Sequence, residues 1–195
     1  MRTVYLGTSD FAASILRRLH ASPHSPSLVL SRPDSRHGRG RRLRPPPVAV
    51  AARELGLALA QPETVNAEDA LTRIAAARPD ALVLCAYGAL IKEPLLSRYP
   101  ILNVHPSLLP RWRGAAPIER AILAGDQQTG VSIIRLTAGL DSGPVCLQEP
   151  LAIAPEDDYG TLAARLQELG GELLVRALDT HPRCAEQDEL GVTYA

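Results

Sequence analysis

Strand-length apolar runs separated by helix-length amphipathic stretches constrain this chain more than any other feature of it. The runs are Thr3 to Leu6, Ser27 to Leu30, Ala81 to Ala86, Ile101 to His105, Val131 to Leu136 and Val145 to Ile153. Between or after them lie Asp10 to His20, Val48 to Leu55, Ala67 to Ala77, Pro117 to Ala124 and Asp158 to Leu178. Several of these open on a Ser, Asp or Asn cap or on an early proline, which marks helix starts. Strands that alternate with helices predict parallel pairing through crossover helices, because the chain must return to the same end before each new strand. The predicted fold class is α/β, a Rossmann-like doubly wound, mostly parallel sheet flanked by helices. In such sheets ligands sit beyond the carboxyl ends of the strands, so polar residues that end strands are the place to look for chemistry.

With 195 residues and 46% hydrophobic content the chain can bury one ordinary core. We expect one domain over residues 1–180, and residues 181–195 look like a linker cut short. The 21 basic and 21 acidic residues balance, so attraction to nucleic acid or membrane is not carried by the total charge. Locally, six arginines between Arg32 and Arg44 face Asp34 alone, which predicts an exposed, cationic loop stopped by prolines. Cys85, Cys146 and Cys184 lie far apart with no Cys-x-x-Cys pair, so the expectation is neither a zinc site nor a disulfide framework, in a reducing, cytoplasmic setting. The N-terminus enters a strand directly, without the pattern of a signal peptide, and no apolar run is long enough to span a bilayer.

The densest candidate for chemistry is ILNVHPSLLPRWRGAAP, residues 101–117. Side chains alternate along a strand, so Asn103 and His105 share one face at its carboxyl end. An amide N–H and a protonated imidazole can both donate to an oxygen that gains negative charge, which suits a reaction through an oxyanion. A plain alternative is that Asn103 caps the turn and His105 is a satisfied polar residue. Pro106, Pro110, Gly114 and Pro117 stiffen the following loop and let its backbone approach a ligand closely. In TAGLDSGPV, residues 137–145, Asp141 stands in a glycine-rich turn between strands. If that turn neighbours His105, its carboxylate could favour the imidazolium and help relay a proton. LGTSDFA lacks the spacing of a dinucleotide-binding turn and is read as strand-to-helix packing around Gly7. The stretch VLCAYGALI, residues 83–91, could wall a flat heterocycle or simply pack the core.

LNVHPSLLPRWRGAAPIERAI followed by a Gly-Leu-Asp-Ser-Gly-Pro turn resembles the methionyl-tRNA formyltransferase family of the folate-dependent formyltransferase superfamily. VYLGTSDFA and RPDSRHGRGRRLRPPPV are similar to that family too, so the likeness covers nearly the whole chain in order. The resemblance implies transfer of the formyl group of 10-formyltetrahydrofolate to the amino group of methionyl-initiator tRNA, with residues 181–195 as a linker to a C-terminal domain absent from this chain. We expect a monomer and no metal. By position, Asn103, His105 and Asp141 match the catalytic trio. Ser107, Leu108, Leu109 and Pro110 match the motif assigned to folate contact, and Tyr87, Gly88, Leu90 and Ile91 match the pterin pocket. Arg36, Arg39, Arg41, Arg42 and Arg44 match the insertion that touches the tRNA acceptor stem. A formyltransferase for an amino sugar nucleotide would share the trio without needing the arginines. A non-catalytic RNA-binding relic would keep the arginines without needing the trio.

Overall fold

A computed structural model describes residues 1–37 and 42–195 of the chain as two compact units, Met1–Ile101 and Leu102–Ala195. The first runs β1 (Thr3–Gly7), α1 (Asp10–His20), β2 (Pro26–Leu30), β3 (Ser35–His37), β4 (Arg42–Arg44), α2 (Pro47–Glu54), β5 (Leu59–Ala60), α3 (Glu68–Ala77), β6 (Ala81–Cys85) and α4 (Leu95–Arg98). β1 pairs in parallel with both β2 and β6, and β5 adds in parallel to the far side of β2. Every residue of β1 and of β6 is buried, as continuous apolar strands in a parallel sheet covered on both faces should be.

α1 begins where Ser9 caps it by accepting from the Ala12 N–H, and it buries Phe11, Ala12, Ile15, Leu16 and Leu19 on one stripe. The turn from β1 into α1 needs Gly7. A Cβ there would lie 2.7 Å from Tyr5 Cε1, 2.9 Å from Ala12 Cβ and 3.0 Å from the Cys85 carbonyl oxygen, so strand and helix close only on a bare backbone. That agrees with the packing role expected of LGTSDFA. The short β3 and β4 form an antiparallel hairpin of their own, where the sequence suggests a loop.

The second unit holds β7 (Ile101–His105) from Leu102 onward, α5 (Pro117–Leu123), β8 (Gln128–Arg135), β9 (Val145–Ala152) and α6 (Tyr159–Thr180). Here the pairing is antiparallel, β7 with β8 and β8 with β9. The sequence predicts a mostly parallel sheet, and this unit supplies its antiparallel part; the Asp141 turn leads β8 back into β9 without a helix, and that short return forces antiparallel register for this pair. α6 opens on a reciprocal capping box between Asp158 and Thr161 and lays Leu162, Leu166, Leu173, Leu174 and Leu178 into the core.

This unit departs from the sequence reading at its cysteines. Cys146 and Cys184 form a disulfide across 38 residues of sequence, correcting the expectation that no disulfide is made. The cause is local pairing: Val145 and Ala185 bridge antiparallel, which sets the next positions, Cys146 and Cys184, opposite each other with 3.9 Å between their Cα atoms. Residues 181–195 also return along the unit. Thr193 N–H donates to the Pro110 carbonyl, Arg113 N–H to the Thr193 carbonyl and Ala195 N–H to the Arg113 carbonyl. Cys85, the free cysteine among the described residues, is buried in β6, and burial pushes its thiol up to about 12. No helix among the described residues is long and apolar enough to cross a membrane, and no three metal-ligating side chains gather there.

Candidate active site

At the carboxyl end of β7, Asn103 and His105 project from one face of the strand, both buried. Asp141 meets them from the turn between β8 and β9. Asn103 Nδ2 donates to its Oδ1 at 3.2 Å, the Gly114 N–H donates to its Oδ2 at 3.0 Å, and His105 Nδ1 lies 3.6 Å from the same Oδ2. The carboxylate is thus gripped by an amide side chain and a backbone amide while it faces an imidazole. Asp141 sits at φ 44°, in the left-handed region that aspartate tolerates better than most residues.

The other nitrogen of the imidazole settles its tautomer. His105 Nε2 stands 2.8 Å from the Trp112 carbonyl oxygen, which can only accept, so Nε2 carries the hydrogen. In the neutral ring Nδ1 is then a bare acceptor turned toward Asp141. Burial lowers the His105 pKa below its ordinary value, and this outweighs the pull of the Asp141 charge and the Trp112 carbonyl toward the charged form. The sequence reading has Asp141 favouring the imidazolium. It does so, but against a larger desolvation cost, and the resting ring is neutral.

The loop that carries Trp112 and Gly114 is fastened from below. His105 in β7, Ser132 in β8 and Gln148 in β9 stand in register across the sheet. Ser132 Oγ donates to the Ser107 carbonyl and accepts from the Leu109 N–H, while Gln148 Nε2 donates to both the Leu109 carbonyl and Ser132 Oγ. Ser107 Oγ closes the loop on itself by donating to the Arg111 carbonyl at 2.6 Å. Trp112, at φ 61°, is strained for a bulky side chain and is held by three further contacts. Its N–H donates to Thr193 Oγ1, its indole N–H to Asp126, and the Arg111 guanidinium lies 4.3 Å above its ring. Arg111 in turn makes a two-pronged pair with Asp126, whose carboxyl those bonds hold below the usual range.

Of the residues matched to folate contact, Ser107 and Leu109 are buried and shape the loop, whereas Leu108 and Pro110 are partly exposed. Leu108 packs over Gly130, where a Cβ would come within 2.6 Å of its Cδ2. It also edges a cleft of about 450 Å³ shared with Arg111, Trp112, Asp126 and Gln128. In the first unit, Tyr87 is buried, its carbonyl accepts from Thr8 Oγ1, and its hydroxyl has no partner among the described residues. Next to it Gly88 takes φ 75° with open space where a Cβ would stand, Leu90 is 72% exposed and Ile91 is buried. Arg36, Arg42 and Arg44 are exposed on the β3–β4 hairpin, with Arg42 and Arg44 on one face and Arg36 on the other. Arg39 and Arg41 fall outside the described residues.

The sequence profile described as formyl transferase matches residues 1–178 of this chain. The chain belongs to the formyl transferase family. It is 48% identical to the methionyl-tRNA formyltransferase of Methylobacillus flagellatus and 46% identical to that of Dechloromonas aromatica. In both comparisons all of this chain is aligned, with 66% and 64% of the relative, so it spans just under two thirds of their length. Among solved structures it superposes on the phosphoribosylglycinamide formyltransferase of Streptococcus pneumoniae TIGR4 with a TM-score of 0.74 at 24% identity, over 92% of this chain and 98% of that one. The α/β, mostly parallel formyltransferase fold that the sequence predicts is therefore the fold of this chain.

For a member of this family the trio is legible in sequence, but its supports are not. The Trp112 carbonyl and the Gly114 amide act through the backbone, where residue identity leaves no trace. Arg113, 4% exposed, and Gln187 are missed too, as are Ser132, Gln148, Asp126 and Thr193: the Gln187 side chain reaches a turn 46 positions away, and nothing local in sequence marks it.

Proposed function

We propose that this chain transfers the formyl group of 10-formyltetrahydrofolate to the α-amino group of methionyl-initiator tRNA, in the cytoplasm and as a monomer. The observation that carries the reading is the convergence of Asn103, His105 and the Gly114 amide on the Asp141 carboxylate. The methionine amine attacks the formyl carbon, and a new N–C bond forms as the carbonyl electrons move onto oxygen. Asn103 spends one N–H on Asp141, and its second is available to that oxyanion. The neutral Nδ1 of His105 takes the proton that the amine must lose, and the nearby Asp141 charge stabilises the imidazolium only once it forms. Collapse of the intermediate breaks the bond from the formyl carbon to the folate nitrogen, which receives that proton.

On the donor side, partly exposed Leu108 and Pro110 are the loop residues proposed to meet folate, with Ser107 and Leu109 acting through the loop's shape. In the first unit, the open backbone at Gly88 and the partnerless hydroxyl of Tyr87 suit a heterocycle with hydrogen-bonding edges, and Leu90 and Ile91 would give it apolar contact. Arg36, Arg42 and Arg44, with Arg39 and Arg41, are proposed to bind acceptor-stem phosphates. Residues 1–180 form the catalytic domain in this reading, and 181–195 are a linker that first returns along it. The deciding experiment offers the purified chain 10-formyltetrahydrofolate with either methionyl-initiator tRNA or an amino sugar nucleotide. Formyl-methionyl-tRNA is the expected product. Formylation of the sugar alone would replace the acceptor, and folded protein that transfers to neither would overturn the reading.

A further inference from the structure

The carboxamide of Gln187 sits between the two segments that build the trio. Its Oε1 accepts twice from the Arg113 guanidinium, from Nε at 3.0 Å and from the terminal nitrogen at 2.9 Å. Its Nε2 donates twice, to the carbonyls of Asp141 and Gly143, each at 2.8 Å. A primary amide has two N–H donors and two carbonyl lone pairs, and here all four are used. The orientation is forced, since flipping the amide would set its N–H groups against a guanidinium and its oxygen against two carbonyls. Neither glutamate nor a shorter amide can do both jobs: a carboxylate has nothing to donate to the carbonyls, and asparagine loses about one methylene of reach.

What lies at the two ends gives the bridge its meaning. Arg113 is flanked in sequence by Trp112, whose carbonyl fixes the His105 tautomer, and by Gly114, whose amide holds Asp141. Asp141 itself is the other end. Gln187 is held in place by its own segment, through the Cys146–Cys184 disulfide and the Val145–Ala185 bridge before it and the Thr193 and Ala195 contacts with Arg113 after it. We infer that Gln187 is a positioning residue for formyl transfer, setting the distance between the Trp112–Gly114 loop and the Asp141 turn, and that residues 184–195 are part of the active site's framework. The inference rests on the proposed function for what the trio does, but not for the bridge itself.

The test compares Gln187→Ala and Gln187→Glu with the unaltered full chain. Loosened geometry around reacting groups costs up to about 100-fold without contact to substrate. Both variants should therefore lose about 10-fold to 100-fold in kcat, with the KM for 10-formyltetrahydrofolate and the thermal midpoint little changed. Glutamate keeps the Arg113 half of the bridge, so its failure to restore kcat places the effect on the Asp141 half. In parallel, hydrogen exchange of the Gly114 amide should quicken in both variants while amides of α6 keep their rates. Unchanged Gly114 exchange, or a kcat loss that tracks a general fall in stability, overturns the positioning role. If the unaltered chain transfers no formyl group, the proposed function fails, and Gly114 exchange still decides the bridge.

Discussion

At the scale of the residue, the proposed mechanism divides the work between Asn103 and His105. One of Asn103's two N–H groups is committed to Asp141 and the proposal assigns the other to substrate oxygen, so Asn103→Ala would remove an oxyanion donor and also a tie on the carboxylate. Loss of one such donor costs about 100-fold to 1000-fold in turnover, and steady-state formyl transfer should fall within that range. Near-normal turnover would remove Asn103 from the chemistry. His105 predicts a stability effect whose sign follows from its burial. Its folded-state pKa lies below the ordinary imidazole value of 6.5, so between that value and the lowered one the unfolded chain binds more protons than the folded chain. The contribution is complete above about pH 6.5 and is lost as pH falls through the window beneath it. Urea midpoints at pH 7.5 and 5.5 should therefore drop more for the native sequence than for His105→Asn, and parallel drops would show that the ring titrates normally.

At the scale of the element, the described part of the cationic stretch holds two short paired strands, and that orders its charges. Arg42 and Arg44 share a face, whereas Arg36 looks the other way. If the paired face meets phosphate, Arg42→Ala with Arg44→Ala should raise the KM for methionyl-tRNA and flatten its dependence on salt by about one logarithmic unit of slope per arginine, with the KM for folate unchanged. An equal change for both substrates would argue for a distorted first unit. The long elements are legible in sequence: α1 runs over the residues its pattern marks, and the six apolar runs all become strands. β5 and α4, two and four residues long, carry too little periodicity to register, and β3 and β4 hide because charge rather than apolar alternation fills them. The antiparallel turn of β8 into β9 was written in the missing helix between them. Asn103, His105 and Asp141 stand out because chemistry limits their side chains. The groups that hold them, a tryptophan carbonyl and a glycine amide, belong to any residue, so only geometry reveals them.

At the scale of the whole molecule, the 38-residue span from Cys146 to Cys184 ties the last segment to β9. Spacing alone argued against a bridge because it cannot see that Val145 and Ala185 pair. Thiol titration of the unfolded, unreduced protein should find one group per chain, Cys85, and all three cysteines of the sequence after reduction. Three thiols before reduction would show that the bridge does not form. The closing stretch also has a practical side. Ala195 donates its amide to the Arg113 carbonyl, and its own carbonyl oxygen would lie 2.4 Å from a Cβ at Gly114. A fluorophore attached at residue 195 would be tethered beside the amide that steadies Asp141. A bulky side chain at the same point would crowd that backbone and loosen the hold of Gly114 on the carboxylate.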